Sequence, residues 1–234
     1  FKELKTMLVP NTPQAAKLTA DQRELISKAK SKRDVGGVDY IFPTPIYINY
    51  IDNYKDIQDE MLTGIHHSDF EMHPHWGSTH WLSDPTFQGN FVEEHRCKKF
   101  KEELDWHVQK YAKEALIGQF SKDNFNYKIV DSWVALFKKN NYAHIHSHGA
   151  ADISGVYYIQ TPAKEEASKL FFQDDRGAKS AEIPAEQGVM LLFPGYLRHG
   201  VQTNTNDVER LSLSFNIKIG SNLDETHEHK VAGT

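Results

Sequence analysis

The chain has 234 residues, 25% of them charged and 39% hydrophobic, and a formal net charge of −5 at pH 7. This composition is that of a globular protein long enough for one substantial core, and it gives no reason to expect nucleic acid as a partner. No apolar run approaches the roughly 20 residues of a membrane-spanning helix, and Cys97 is the only cysteine, so we expect a cytoplasmic protein without an intrachain disulfide.

Both ends of the chain are polar. Residues 1–38 contain one short helical pattern, which begins near Thr19 and is broken by Gly36 and Gly37, so we predict a helical N-terminal arm. Residues 221–234 are predicted to form a polar C-terminal tail. The folded domain is therefore expected to span residues 39–220.

The first third of this domain mixes extended and helical patterns. The segment from Val38 to Tyr50 is rich in β-branched and aromatic residues and predicts an extended strand. A helix is predicted from Asn53 to about His66, and a longer one over residues 91–120. Apolar side chains recur along the second helix at helical spacing and predict a buried stripe: Phe100, Leu104, Val108, Tyr111 and Ala115.

From residue 126 onwards the chain is predicted to form a series of short strands. Helices followed by strands favour a mainly β fold, a sandwich or barrel with helices packed on one side of an antiparallel core. The predicted strands are residues 127–137, 142–148, 153–160, 169–173, 188–194, 199–202 and 210–219.

Three histidines in this region form a candidate metal site. His146 and His148 are two residues apart, so on a strand both imidazoles would lie on one face. His199 begins a later strand, which can lie beside the first in a closed β fold. Such a set suits a first-row metal such as iron. The alternative interpretation is that they are polar residues on a wet inner face.

Arg210 opens a strand in which apolar and polar residues alternate. By that alternation the arginine shares a face with Ser212, Ser214 and Asn216. A polar face with one arginine is suited to bidentate hydrogen bonding to a carboxylate. The alternative is a surface arginine opposite Glu209 or Asp207.

The segments 42–47, 146–159, 192–199 and 210–216 together resemble the 2-oxoglutarate and Fe(II)-dependent oxygenases of bacteria and tailed bacteriophages. The resemblance implies a double-stranded β-helix, a cupin-like jelly roll with the metal inside one mouth. It also implies Fe(II), 2-oxoglutarate, dioxygen and an organic substrate: a hydroxylase of an amino acid, a peptidyl side chain or a small metabolite. Arg210 would hold the distal carboxylate of 2-oxoglutarate.

One departure from this family pattern concerns the metal ligands. The wider superfamily has an acidic residue where this chain has His148. The iron would therefore bind either three histidines, or a set in which Asp152 supplies a carboxylate. Four residues are further candidates to line the pocket or bind the cosubstrate: Trp133, Tyr142, Tyr158 and Asn216.

Two other functions remain open on the sequence. A cupin-type metalloenzyme that does not use 2-oxoglutarate would need the three histidines but would have no use for Arg210. A non-catalytic jelly-roll binding module would need neither the metal nor the arginine, and its histidines would not converge. Each of these candidate functions is compatible with a homodimer.

Overall fold

The computed structural model describes residues 44–73, 77–115, 126–174, 176–177 and 180–220. The predicted arm and tail lie outside the described residues. The described helices are α1 (Tyr54–His66), α2 (Phe91–Glu94) and α3 (Lys98–Ala115). The described strands are β1 (Tyr47–Tyr50), β2 (Glu71–Met72), β3 (Trp81–Leu82), β4 (Tyr127–Phe137), β5 (Ala143–His146), β6 (Ile153–Gln160), β7 (Lys169–Gln173), β8 (Ser180–Pro184), β9 (Val189–Pro194), β10 (His199–Val201) and β11 (Arg210–Ile219).

The strands form two antiparallel sheets that make a double-stranded β-helix, as expected. The larger sheet has the order β1-β9-β6-β11-β4-β3-β2, and the smaller one has the order β5-β10-β7-β8. β8 is the one strand of the smaller sheet that the sequence analysis did not predict. None of the described helices is long and apolar enough to cross a membrane.

The central strands of the larger sheet are buried on both faces. Along β11, Leu211, Leu213 and Phe215 belong to a core shared with the helices. The alternate residues, which begin with Arg210 and include Ser212, line a cavity between the two sheets. The alternation predicted from the sequence is thus confirmed, because a period of two sends neighbouring side chains to opposite faces.

Helix α3 covers the outer face of the larger sheet with the predicted apolar stripe. Phe100 is fully buried, and its ring lies 5.7 Å from that of Tyr157 and 5.5 Å from that of Phe215. Gly155 permits this packing, because a Cβ atom there would lie 2.2 Å from the ring of Phe215. The packing of α3 on the larger sheet therefore fixes the position of β6 and β11, which carry cavity residues on their other face.

The prediction of one helix over residues 91–120 was wrong. Two helices are present, and Arg96 between them has a left-handed φ of 52° that ends α2. Glu60 of α1 then accepts hydrogen bonds from the backbone N–H groups of Lys99 and Phe100, at 3.0 and 3.1 Å. This carboxylate satisfies donors that would otherwise be unpaired at the start of α3. Because this hydrogen bonding comes from a residue of another helix, no repeating pattern in the sequence indicates where α3 begins.

We expect Phe100→Ala to lower the free energy of unfolding by about 3–5 kcal/mol, because it removes a fully buried ring and leaves a cavity. Trp106→Ala on the same helix is the control. Its side chain is exposed, so we expect a loss of less than about 1 kcal/mol. Urea unfolding followed by circular dichroism measures both. Equal losses would contradict the packing of α3 on the sheet.

Candidate active site

The three candidate histidines converge at one end of the smaller sheet. β5 and β10 are antiparallel neighbours, and His146 is directly opposite His199. One ligand atom from each of His146, His148 and His199 can be chosen so that all lie within 4.8 Å of one another. Among the described residues this is the one cluster of histidine, cysteine and acidic side chains with metal-binding geometry.

His148 reaches this cluster from a loop. β5 ends at His146, so strand alternation does not account for the position of His148. Its backbone N–H donates to the carbonyl of Gly195 at 2.8 Å, and its own carbonyl accepts from Ala151 at 2.8 Å. A side chain at Gly195 would collide with the backbone, because its Cβ atom would lie 2.7 Å from the carbonyl oxygen of His148. The glycine therefore lets the two loops meet.

Two of the histidines have their ring orientation set by backbone carbonyls. The Nδ1 of His146 lies 2.8 Å from the carbonyl of His144, and the Nδ1 of His199 lies 2.8 Å from the carbonyl of Leu197. Since only a protonated Nδ1 can donate to a carbonyl, the Nε2 atom of each neutral ring keeps its lone pair. These two rings are thereby prepared to bind a metal through Nε2.

The imidazoles are neutral near neutral pH. Burial lowers the pKa of all three rings, and the neighbouring His146 lowers that of His148 further, to about 3. The pKa of His199 is depressed by its burial and then by the two other histidines. Neutral rings offer lone pairs, so no proton has to be displaced before a metal binds.

Asn216 connects the third histidine to a half-buried carboxylate. Its amide oxygen accepts from the hydroxyl of Ser154 at 2.7 Å, and its amide nitrogen donates to Asp131 at 2.7 Å. The same nitrogen lies 3.5 Å from Nδ1 of His148. Burial raises the pKa of the Asp131 carboxyl group. Asp131 was not among the predicted site residues, although it shares a strand face with Trp133.

Asp152 does not join the histidine cluster. Its carboxylate accepts from the backbone N–H of Ile219 at 2.9 Å and lies 3.4 Å from the ammonium group of Lys218. It is the residue just before β6, and it is exposed. The structure thus brings together the three-histidine set and leaves out the alternative ligand.

Arg210 is fully buried and lines the same cavity as the histidines. One guanidinium nitrogen donates to the carbonyl and the hydroxyl of Ser168, at 3.1 and 3.2 Å. The rings of Phe137 and Tyr158 each lie 5.0 Å from the guanidinium carbon. The surface position beside Glu209 is therefore excluded.

No carboxylate of the described residues pairs with this guanidinium. Its Nε and the Tyr158 hydroxyl are the two buried side-chain polar atoms without a hydrogen-bond partner in the described part of the chain. Burial lowers the pKa of Arg210, yet a guanidinium stays protonated in proteins. An unpaired buried charge costs several kcal/mol, so an anion that enters the cavity would be strongly attracted.

The cavity has a volume of about 440 Å³, which lies within the usual range for small-molecule sites. Trp133 and Asn216, two of the four candidate pocket residues, line it. Tyr142 and Tyr158 do not border it, since the ring of Tyr158 packs behind the guanidinium. The histidine trio and Arg210 thus open onto one space, and the donor set fits a metal together with an acidic cosubstrate.

Three histidine or aromatic residues of this cavity escaped the sequence analysis. His73 lines the cavity together with His80 and Phe87. His80 is buried and stacks on Phe137 with ring centroids 4.6 Å apart, and burial is the main cause that lowers its pKa to about 3. Isolated residues in irregular segments carry no periodic signal that would have revealed them.

Comparison with known proteins gives one family match. Residues 131–216 match the family model described as "Putative 2OG-Fe(II) oxygenase". This segment contains the three histidines, Arg210 and Asn216. No curated protein sequence matches the chain.

Solved structures share the fold. A prolyl-4-hydroxylase from Pseudomonas putida is 13% identical, with a TM-score of 0.53 over 75% of this chain and 92% of that one. HygX from Streptomyces hygroscopicus, solved with nickel, 2-oxoglutarate and hygromycin B bound, is 9% identical, with a TM-score of 0.53 over 86% and 87%. A prolyl hydroxylase from Trichoplax adhaerens, in complex with a hypoxia inducible factor peptide fragment, is 12% identical, with a TM-score of 0.51 over 74% and 82%.

These identities are low, and the likeness to the solved structures establishes the fold. The family match covers the strands and loops that carry the histidine cluster and the buried arginine. Fold, family match and donor set agree on one chemistry, which uses iron and 2-oxoglutarate. The segment of the jelly roll that carries the site, residues 131–216, is thus similar to the 2OG-Fe(II) oxygenases.

Proposed function

We propose that this domain holds iron through His146, His148 and His199, and binds 2-oxoglutarate with Arg210 against its distal carboxylate. The proposed reaction is hydroxylation of an amino acid, a peptidyl side chain or a small metabolite. Iron with 2-oxoglutarate supplies the oxidising chemistry, in which one oxygen atom of O2 enters the substrate C–H bond while succinate and CO2 form. A bacterial or bacteriophage origin is part of this proposal and rests on the sequence resemblance alone.

The observation that carries the proposal is the buried, unpaired guanidinium of Arg210 in the cavity of the histidine trio. Ser168 and the two flanking rings hold it in place and leave Nε without a partner. A carboxylate would compensate the charge and could accept the free hydrogen bond. A cupin-type enzyme that does not use 2-oxoglutarate would have no need of this costly arrangement.

The remaining residues have supporting roles in this proposal. Asn216, fixed by Ser154 and Asp131, would lie beside the ring of His148. Trp133 lies 5.7 Å from the same ring and would form a wall beside the metal. Tyr158 would keep water from the guanidinium, on which its ring packs. Three neutral ligands leave the full charge of the metal available to the anionic cosubstrate.

The direct test is an anaerobic titration of the protein with Fe(II) and 2-oxoglutarate, followed by the weak visible charge-transfer band of the chelate. We expect a band that requires both components and saturates at one equivalent of each. Absence of the band in folded, iron-loaded protein would contradict the proposed cosubstrate.

We expect His146→Ala and His199→Ala each to weaken metal binding by more than about 100-fold, because loss of a group that merely supports a ligand already costs about 10–100-fold. Calorimetric titration with Co(II) measures the affinity without turnover. His144→Ala is the matched control, since this histidine is on the same strand but outside the cluster. A control that loses the metal equally would contradict the assignment.

The third ligand has its own test in the same titration. His148→Asp replaces an imidazole by a carboxylate, which also binds such metals, so we expect the metal to be retained. Asp152→Asn should leave the affinity unchanged, because the Asp152 carboxylate is held by Ile219 and Lys218. Loss of the metal in Asp152→Asn, together with retention in His148→Ala, would favour the alternative ligand set.

We expect Arg210→Ala to weaken 2-oxoglutarate binding at least about tenfold, since charge-assisted hydrogen bonds to a buried group are lost. Arg210→Lys should also bind poorly, because the planar fork is replaced by a point charge. The chelate band reports the affinity, and Co(II) binding should stay as in the parent. Parental 2-oxoglutarate affinity in both variants would show that the arginine does not hold the cosubstrate.

A further inference from the structure

A continuous chain of rings lines part of the cavity and ends at His148, a proposed metal ligand; its other members, His73, Phe87 and Trp133, are called the mouth below. The ring of His73 lies 5.4 Å from that of Phe87, and Phe87 lies edge-on to Trp133 at 5.1 Å. Trp133 in turn lies 5.7 Å from His148. All four residues line the cavity. A substrate group that packs against Phe87 and Trp133 would therefore lie next to the proposed metal position.

Phe87 is held at this mouth against its own backbone preference. Its φ is 56°, in the left-handed region that a bulky side chain rarely adopts and that costs of order 1–3 kcal/mol. The carboxylate of Asp84 accepts hydrogen bonds from the backbone N–H groups of Thr86, Gln88 and Gly89 at 2.9, 3.0 and 2.7 Å, which fixes the turn. Strain of this kind persists where the surroundings enforce it, often at ligand contacts.

The chemistry of the mouth selects against charge. Arg210 is the one permanently charged side chain among the described residues that line the cavity, and the proposed function assigns it to 2-oxoglutarate. His80, beside the mouth, is neutral because burial lowers its pKa to about 3. A charged substrate group would lose hydration here and would meet no opposite permanent charge among the described lining residues other than that of Arg210.

We propose that this mouth binds an uncharged planar ring of the substrate, and that Phe87 is the residue that selects it. The ring would pack against the edge and face of Phe87 and Trp133, with a C–H bond directed at the metal. Offset and edge-to-face geometries make such ring pairs favourable beyond the burial of apolar area. This inference rests on the proposed function, because it assigns the metal and Arg210 to iron and 2-oxoglutarate.

The test uses protein loaded anaerobically with Fe(II) and 2-oxoglutarate, so that nothing turns over. Three probes of similar size are titrated by saturation-transfer NMR: N-acetyl-phenylalanine amide, N-acetyl-leucine amide and N-acetyl-lysine amide. We expect the phenylalanine probe to bind tightest and the lysine probe weakest. Equal or reversed affinities overturn the inference. The chelate band is recorded in the same samples, so its absence instead overturns the proposed function.

Phe87→Gly separates recognition from structure. Glycine adopts a positive φ without strain, which partly offsets the packing lost with the Phe87 ring, so the variant should stay folded, as urea unfolding checks. Its affinity for the phenylalanine probe should fall about two- to tenfold, the range expected for loss of one aromatic pair. Trp106→Ala, which removes an exposed ring of α3 outside the cavity, should bind as the parent does. Parental affinity in Phe87→Gly with an intact chelate band overturns the inference.

Discussion

The guanidinium of Arg210 is a full charge in the interior, held by one serine and two rings and left without a carboxylate among the described residues. Burying such a charge lowers the stability of the folded state, so other interactions in the fold have to compensate for it. The larger sheet is covered by α3 on one face and by the smaller sheet on the other. The hydrophobic core that it shares with the helices provides this compensating stability. The architecture therefore keeps the proposed anion-binding group in place before any anion arrives.

The same two-sided burial explains how the strands carry a site. On β11, one set of alternate residues enters the helix-covered core while the other faces the cavity. β10 brings His199 opposite His146, and the contact at Gly195 adds His148. Packing on one face thereby determines the geometry on the other. The proposed metal position and the proposed cosubstrate position are coupled through rigid strands.

Periodicity made the main part of this arrangement predictable from the sequence. The strands that carry the site and the polar face of β11 follow from a period of two, whereas the neighbourhood of His146 and His199 was expected from a closed β fold. The same period predicted His148 on the strand of His146, but His148 lies in the loop after β5. What escaped prediction depends on contacts between distant residues. Glu60 starts α3 from another helix, and Asp131 meets Asn216 across a strand pair. The position of Phe87 depends on hydrogen bonds within an irregular loop, and no repeating pattern in the sequence predicts such a loop.

The most direct test of the account is a crystal structure of the protein prepared anaerobically with Fe(II) and 2-oxoglutarate, with diffraction recorded at the iron absorption edge. The account predicts one anomalous peak between the imidazoles of His146, His148 and His199. It also predicts that the distal carboxylate of 2-oxoglutarate lies against Arg210. An iron peak beside Asp152 would contradict the account, and so would 2-oxoglutarate bound with its distal carboxylate away from the guanidinium.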